Sequence, residues 1–289
     1  MHALKKRLPD FLQLMRADKP IGSLLLLWPA LWALWLAANG LPNIKLLIIF
    51  VCGVFLMRSA GCVINDYADR DLDGHVQRTA HRPFPSGSVT QREAIGLFIG
   101  LCLVSFVLVL FTNKLTIQLS FVGVALAFCY PFMKRYTHLP QVVLGAAFTW
   151  SVPMAFAAQT GSLPVKLWPL YASGVLWAVV YDTFYAMVDR EDDLKIGVKS
   201  TAILFGDMDI PITSTLQVMV IAGMIMTGAN FDRGPFYFCG VGIAALLFVH
   251  QQYLIRHRNR EQCFKAFLQN NRVGAALFIG LLLDYHWPQ

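Results

Sequence analysis

Nine stretches of this chain are apolar for close to twenty residues each, and nothing else in the sequence limits the fold so strongly. They run over about 20–38, 46–64, 94–112, 116–133, 139–158, 167–188, 210–228, 236–254 and 271–287. A helix needs about 20 mostly apolar residues to cross a bilayer. The seventh stretch is the most diluted, by Pro211 and several Thr and Ser. The chain is 56% hydrophobic and 14% charged, whereas a soluble domain is about one-quarter charged. A soluble protein of this length would also show amphipathic stripes in place of long apolar blocks. The reading is an all-α integral membrane protein of about nine transmembrane helices, forming a single domain over 1–289.

The positive charges set the orientation. With the N-terminus in the cytoplasm, nineteen of the 24 Lys and Arg fall on inside segments. These are Lys5, Lys6, Arg7, Arg16 and Lys19, then Arg70, Arg78, Arg82 and Arg92, then Lys134 and Arg135, then Arg190, Lys195 and Lys199, and finally Arg256, Arg258, Arg260, Lys265 and Arg272. Only Lys45, Lys114, Lys166 and Arg233 fall outside, and Arg58 lies within a span. This is the positive-inside bias, and dropping one early helix would scramble it. The net charge of +7 is therefore a statement about topology, and no nucleic-acid partner is expected. The basic N-terminus before an apolar run imitates a secretory signal, but the run is too long and more spans follow, so it reads as an uncleaved first helix.

The six cysteines form no CxxC pair and sit mostly in apolar segments, as small buried hydrophobes do. The histidines lack metal-ligand spacing. Outside connections are short, whereas inside connections over 65–93, 189–209 and about 255–270 are longer, and long loops beside a helical scaffold are where chemistry is placed.

Nine of the seventeen acidic residues fall in two windows, 65–73 and 182–193, each at the inside end of a span. Asn65, Asp69 and Asp73 stand at i, i+4 and i+8, with Asp66 three residues before Asp69. Tyr185, Asp189 and Asp193 repeat the spacing, with Asp182 before them. Each set lies along one helix face. Like charges at this spacing repel, and acids beside lipid need a compensating partner. A divalent cation supplies it. Magnesium prefers carboxylate oxygens and is usually completed by waters and substrate phosphates. Two facing acidic stripes suit a diphosphate whose leaving charge is neutralised by metal. The bland alternative is a solvated charged loop, which does not account for two matching clusters with basic neighbours.

Arg70, Arg78 and Arg82 follow the first window, Lys195 and Lys199 the second, and Lys134 and Arg135 end the fourth span. Each can neutralise phosphate oxygens, and arginine can grip a carboxylate with two bonds. Arg135 sits in a short connection pinned by Pro131 and Pro140 and is the strongest functional candidate of these. Arg58, two turns before Asp66, has to face protein or water. Residues 78–87 mix donors with Pro and Gly, as an ordered loop over the acidic site would.

These motifs resemble a known family. The run from Asn65 to Val76 resembles the first motif of the intramembrane aromatic prenyltransferases, and Tyr181 to Asp193 resembles the second. Arg16 to Gly22, Arg78-Thr79 with Arg82-Pro83, Pro131 to His138 and Lys199 to Ala202 extend the resemblance over nearly the whole chain. It implies nine transmembrane helices around a central cavity in a bacterial inner membrane, with the active site on the cytoplasmic side. It implies Mg2+ held by Asn65, Asp69, Asp73, Asp189 and Asp193. It implies that a long allylic polyprenyl diphosphate is joined to 4-hydroxybenzoate, ortho to its hydroxyl, with release of diphosphate, in ubiquinone biosynthesis. Asp189 or Glu191 would take a proton or stabilise the allylic cation, and Arg135 would hold the benzoate or diphosphate. Asp66, Arg70, Arg78, Arg82, Lys134, Tyr185, Lys195 and Lys199 would contribute to substrate binding.

Three rivals stand beside this reading, one of them a structural or assembly protein, which would not need the clustered acids. A transporter would place its charged groups near the midplane on broken helices, whereas here they gather at one membrane face. A related prenyltransferase with a naphthoate, haem or sugar phosphate acceptor would carry the same aspartates.

Overall fold

The computed structural model describes residues 2–70, 82–84 and 86–287, with side chains from Arg7 onward. Twelve α-helices run through the described residues: α1 His2–Leu14, α2 Ile21–Ala38, α3 Ile44–Asp69, α4 Gln91–Val109, α5 Lys114–Met133, α6 Pro140–Thr149, α7 Ser151–Thr160, α8 Trp168–Ile196, α9 Thr201–Phe205, α10 Asp209–Asn230, α11 Pro235–Ile255 and α12 Arg260–His286. Polar caps fix several starts. Asn43 accepts from the Lys45 backbone N–H at 2.9 Å, Asn113 from that of Thr116 at 3.0 Å, and Asn259 from that of Glu261 at 3.0 Å. Thr90 and Glu93 form a reciprocal capping box on α4.

Eight segments of the described residues are long and apolar enough to cross a membrane. They include α6 with α7 and α9 with α10 as continuous paths. The ninth expected span is α8, which is not one of the eight despite its 29 residues. At about 1.5 Å per residue it is long enough to cross and project beyond. Its middle carries Ser173, Tyr181, Asp182 and Thr183, and it packs against α6, α10 and α12. Protein neighbours tolerate those groups where lipid would not.

The helices follow one another around a closed ring. Each of α2, α3, α4, α5, α6, α8, α10, α11 and α12 packs on the next, and α12 returns to α2. Tryptophans of α2 and of α8 tie α12 into the ring. Trp28 Nε1 donates to Asn271 Oδ1 at 2.9 Å, Trp177 Nε1 to Asn270 Oδ1 at 2.8 Å, and Trp32 Nε1 to the Gly274 carbonyl at 3.3 Å. A Cβ at Gly274 would strike the Trp28 ring. Gly240 and Gly280 similarly let α11 and α12 touch, each hypothetical Cβ meeting backbone of the other helix at 2.8–3.0 Å. Small residues at such crossings allow close van der Waals packing, which drives helix association where lipid removes the hydrophobic incentive.

Three boundaries differ from expectation. The span at 139–158 is two helices, because Pro153 has no N–H for the Thr149 carbonyl and its ring crowds that turn. The span at 167–188 continues as helix to Ile196, so the second acidic window is helical throughout, not a loop. The last helix begins at Arg260, eleven residues before the apolar stretch.

Candidate active site

The C-terminal ends of α3, α5 and α8 meet the starts of α2, α6 and α12 around a polar chamber of about 650 Å3. From α3 it takes Arg58, Cys62, Asn65, Asp66 and Asp69. From α8 it takes Tyr181, Asp182, Tyr185, Asp189, Asp193 and Ile196. These are the two acidic faces anticipated from the i, i+4 spacing, and they line one space.

The acids are held in distinct ways. Asp66 is 1% exposed and accepts two bonds from Arg16, at 2.8 and 2.9 Å, and one from Arg82 at 3.1 Å. It therefore fastens the α1–α2 connection and the Arg82 loop to α3. Asp69 pairs with Lys134, and Asn65 Nδ2 donates to it at 3.3 Å. Tyr130 donates to Asn65 Oδ1 at 3.1 Å. Behind Tyr185 lies an aromatic wall, with ring centroids 4.8 Å to Phe267 and 6.3 Å to Phe264. Tyr181 extends this wall to Trp177, at 5.3 Å.

A second cavity, of about 700 Å3, lies between α3, α4, α5 and the α6–α7 pair. Its lining is apolar, including Ile49, Phe50, Val54, Met57, Phe98, Phe106 and Phe128. The two cavities share Arg58, Tyr130 and Phe148 as lining residues. Arg58 thus stands at their junction, its guanidinium 5.6 Å from the Phe148 ring centroid and packed over Gly22, where a Cβ would collide with it. Among the described residues Arg58 makes no salt bridge, and the Asp182 carboxylate in the same chamber feels its charge without pairing with it. A half-buried arginine without a salt bridge, facing two cavities, has donors free to meet an anion from outside the fold.

Several expected residues do not reach the chamber. Glu191 is 77% exposed and pairs with Arg260 at 2.9 Å. It lies two residues from Asp189, hence on the opposite face of α8. Lys195, 74% exposed, pairs with Asp192 at 3.5 Å and is off the lining face for the same reason. Arg135 donates to the Ala68 carbonyl and caps the end of α3. Arg70 folds back over the Tyr67 ring, 4.7 Å from its centroid. Asp73 and Arg78 lie outside the described residues. Asn65, Asp66, Asp69, Arg82, Lys134, Tyr185, Asp189, Asp193 and Lys199 do line the chamber. Sequence reasoning gave no role to Gln13, Asp18, Gln141 or Tyr130, and it noted Arg16 only within a motif. The single signal was Arg58, a charge in the middle of an apolar run.

The donor set suits a hard divalent cation. Among the described residues the chamber offers amide and carboxylate oxygens on two helices and no thiolate or imidazole pair. Among the described residues no three acidic, His or Cys side chains converge closely enough to hold an ion alone.

A helical membrane protein whose acid- and base-lined chamber opens on an apolar one is built for an amphiphile with an anionic head. The chain belongs to the UbiA prenyltransferase family, whose model matches residues 26–281. It is 61% identical over 281 residues to a 4-hydroxybenzoate octaprenyltransferase of Saccharophagus degradans, covering 97% of this chain and 94% of the relative. It is 62% identical over 273 residues to a protein of the same description from Vibrio parahaemolyticus, covering 94% and 96%. Among solved structures it resembles a UbiA homolog from Aeropyrum pernix, with TM-score 0.81, 24% identity and coverage of 91% and 97%. It also resembles a UbiA homolog from Archaeoglobus fulgidus bound to GPP and Mg2+, with TM-score 0.71, 17% identity and coverage of 96% and 99%.

Proposed function

We propose that this protein transfers a polyprenyl group from an allylic polyprenyl diphosphate to the ring carbon ortho to the hydroxyl of 4-hydroxybenzoate, releasing diphosphate, in ubiquinone biosynthesis. The whole chain, 1–289, serves as one transmembrane prenyltransferase unit. The carrying observation is the junction. A polar chamber with two acidic helix faces meets an apolar cavity at a half-buried arginine that makes no salt bridge among the described residues. The near-full-length relatives described as 4-hydroxybenzoate octaprenyltransferases support the acceptor.

Asn65 and Asp69 on α3 and Asp189 and Asp193 on α8 would hold Mg2+, with Asp73 from the adjoining segment, and the metal would supply positive charge to the departing diphosphate. Lys134, Lys199 and Arg82 line the same chamber and add cationic donors to the phosphate oxygens. The prenyl tail lies in the apolar cavity, entering from the bilayer along the sparsely packed α4–α5 side. Arg58 receives the carboxylate of the aromatic acid. As the C1–oxygen bond breaks, Tyr185, Phe264 and Phe267 present ring faces to the allylic cation, an arrangement worth about 2 kcal/mol when desolvated. The ring carbon forms the new bond to C1, and its proton passes to a chamber carboxylate, assigned here to Asp189. The positive-inside pattern supports a cytoplasmic position for this end, and the bacterial relatives support an inner membrane.

The test is a membrane-fraction assay with labelled 4-hydroxybenzoate, a polyprenyl diphosphate and Mg2+. Label should enter a lipid-soluble product and stop doing so when a chelator is added. Transfer that persists in chelator would remove the metal assignment, and no transfer to this acceptor would remove the acceptor.

A further inference from the structure

Most helical glycines in this protein have a packing reason. A Cβ at Gly145 would meet the Val175 carbonyl at 2.7 Å, at Gly228 the Tyr237 ring at 2.5 Å, and at Gly240 the backbone of α12. Gly53 and Gly61 on α3 do not. A Cβ at either would meet nothing within 4 Å, and neither has positive φ. Glycine is a poor helix former, so two of them eight residues apart in the middle of α3 call for another explanation. Gly96, Gly100 and Gly242 are open as well, but they lie on exposed helix surface, whereas Gly53 and Gly61 line the apolar cavity. What their missing side chains preserve is the width of that cavity.

We infer that Gly53 and Gly61 gauge the prenyl chain at two depths, Gly61 beside its first units and Gly53 farther along. The inference rests on the reading that the tail occupies this cavity. Gly61 is one helical turn from Asn65, and Gly53 is twelve residues from it, roughly 18 Å along the helix at 1.5 Å per residue. An isoprene unit adds four chain bonds of about 1.5 Å each and advances roughly 5 Å when extended. Gly53 therefore stands beside about the fourth unit of a chain whose first carbon lies at the acidic faces. A ten-carbon donor ends short of Gly53, and a forty-carbon donor has to pass it.

The experiment measures kcat/KM of the purified full-length protein with Mg2+, 4-hydroxybenzoate and either a ten-carbon or a forty-carbon allylic diphosphate. Overpacking an apolar pocket by a phenyl ring should lower the forty-to-ten ratio at least ~tenfold in Gly53→Phe. In Gly61→Phe both donors should lose together, leaving the ratio within ~threefold of the unsubstituted protein. If Gly53→Phe loses both donors below detection, Gly53→Leu gives the same ratio with a smaller obstacle. A ratio unmoved in the Gly53 variants overturns the gauge. Absence of transfer with either donor in the unsubstituted protein overturns the prenyltransferase reading itself, which separates the two failures.

Discussion

Replacing Arg58 by Met tests the junction directly. Methionine keeps an unbranched apolar stem but is shorter, and it removes the guanidinium together with its contact to the Phe148 ring. Arg58 lines both cavities and makes no salt bridge among the described residues, and the Asp182 carboxylate that feels its charge keeps Gln141 and Lys134 beside it. Its effect should fall on substrate binding far more than on folding. A hydrogen bond to a charged group contributes about 1.5–3 kcal/mol. Loss of the paired guanidinium–carboxylate contact should therefore raise KM for 4-hydroxybenzoate about 10- to 150-fold, at 1.4 kcal/mol per tenfold. The KM for the prenyl diphosphate should change by less than about threefold, because the phosphate-facing cations are elsewhere. Arg58→Lys should recover only part of the loss, since an ammonium cannot form the two parallel bonds. The assay is steady-state transfer in detergent micelles with each substrate varied in turn. An acceptor lacking the carboxylate supplies the internal control and should react equally with both proteins. Equal KM for 4-hydroxybenzoate in the Met variant, or a penalty that persists with the uncharged acceptor, would refute the assignment.

Asp69→Ala and Asp193→Ala should each abolish turnover while membrane insertion and yield stay normal, and full activity in either variant would end its metal assignment. Asp209 is fully buried and accepts from Arg258 at 2.8 Å and from Arg190 at 3.5 Å, which keeps the Arg258 guanidinium above its ordinary pKa. Because both arginines are partly exposed and can hydrate, Asp209→Ala should cost about 2–3 kcal/mol, less than a fully buried broken pair, read as lower thermal stability of the purified protein. Gly274→Leu should open the α2–α12 seam by overpacking against Trp28 and cost at least about 1–3 kcal/mol, with a matching fall in melting temperature. A stable Gly274→Leu variant would show that the seam is looser than the tryptophan contacts indicate.

The sequence alone settled the class, the approximate number of apolar passes and the two acidic faces. Apolar length has one meaning in a bilayer, and helical period puts Asp189 and Asp193 on one side whatever surrounds them. The same period already excluded Glu191 from that face, a deduction the sequence permitted. Other assignments needed the fold. Arg135 and Lys134 are adjacent in the chain, yet Lys134 pairs with Asp69 while Arg135 caps α3, and spacing says nothing about what lies opposite a helix end. Arg16 reaches Asp66 across fifty residues, a pairing made by the ring of helices bringing α1 over α3. Apolar content marked the span at 139–158 but not its division at Trp150, because hydropathy ignores the N–H that Pro153 lacks. Above all, a lone arginine in an apolar run signals only that it faces something other than lipid. Tertiary structure decided that it stands where an acidic chamber meets an apolar one, since a cavity is a relation among helices and belongs to no single segment.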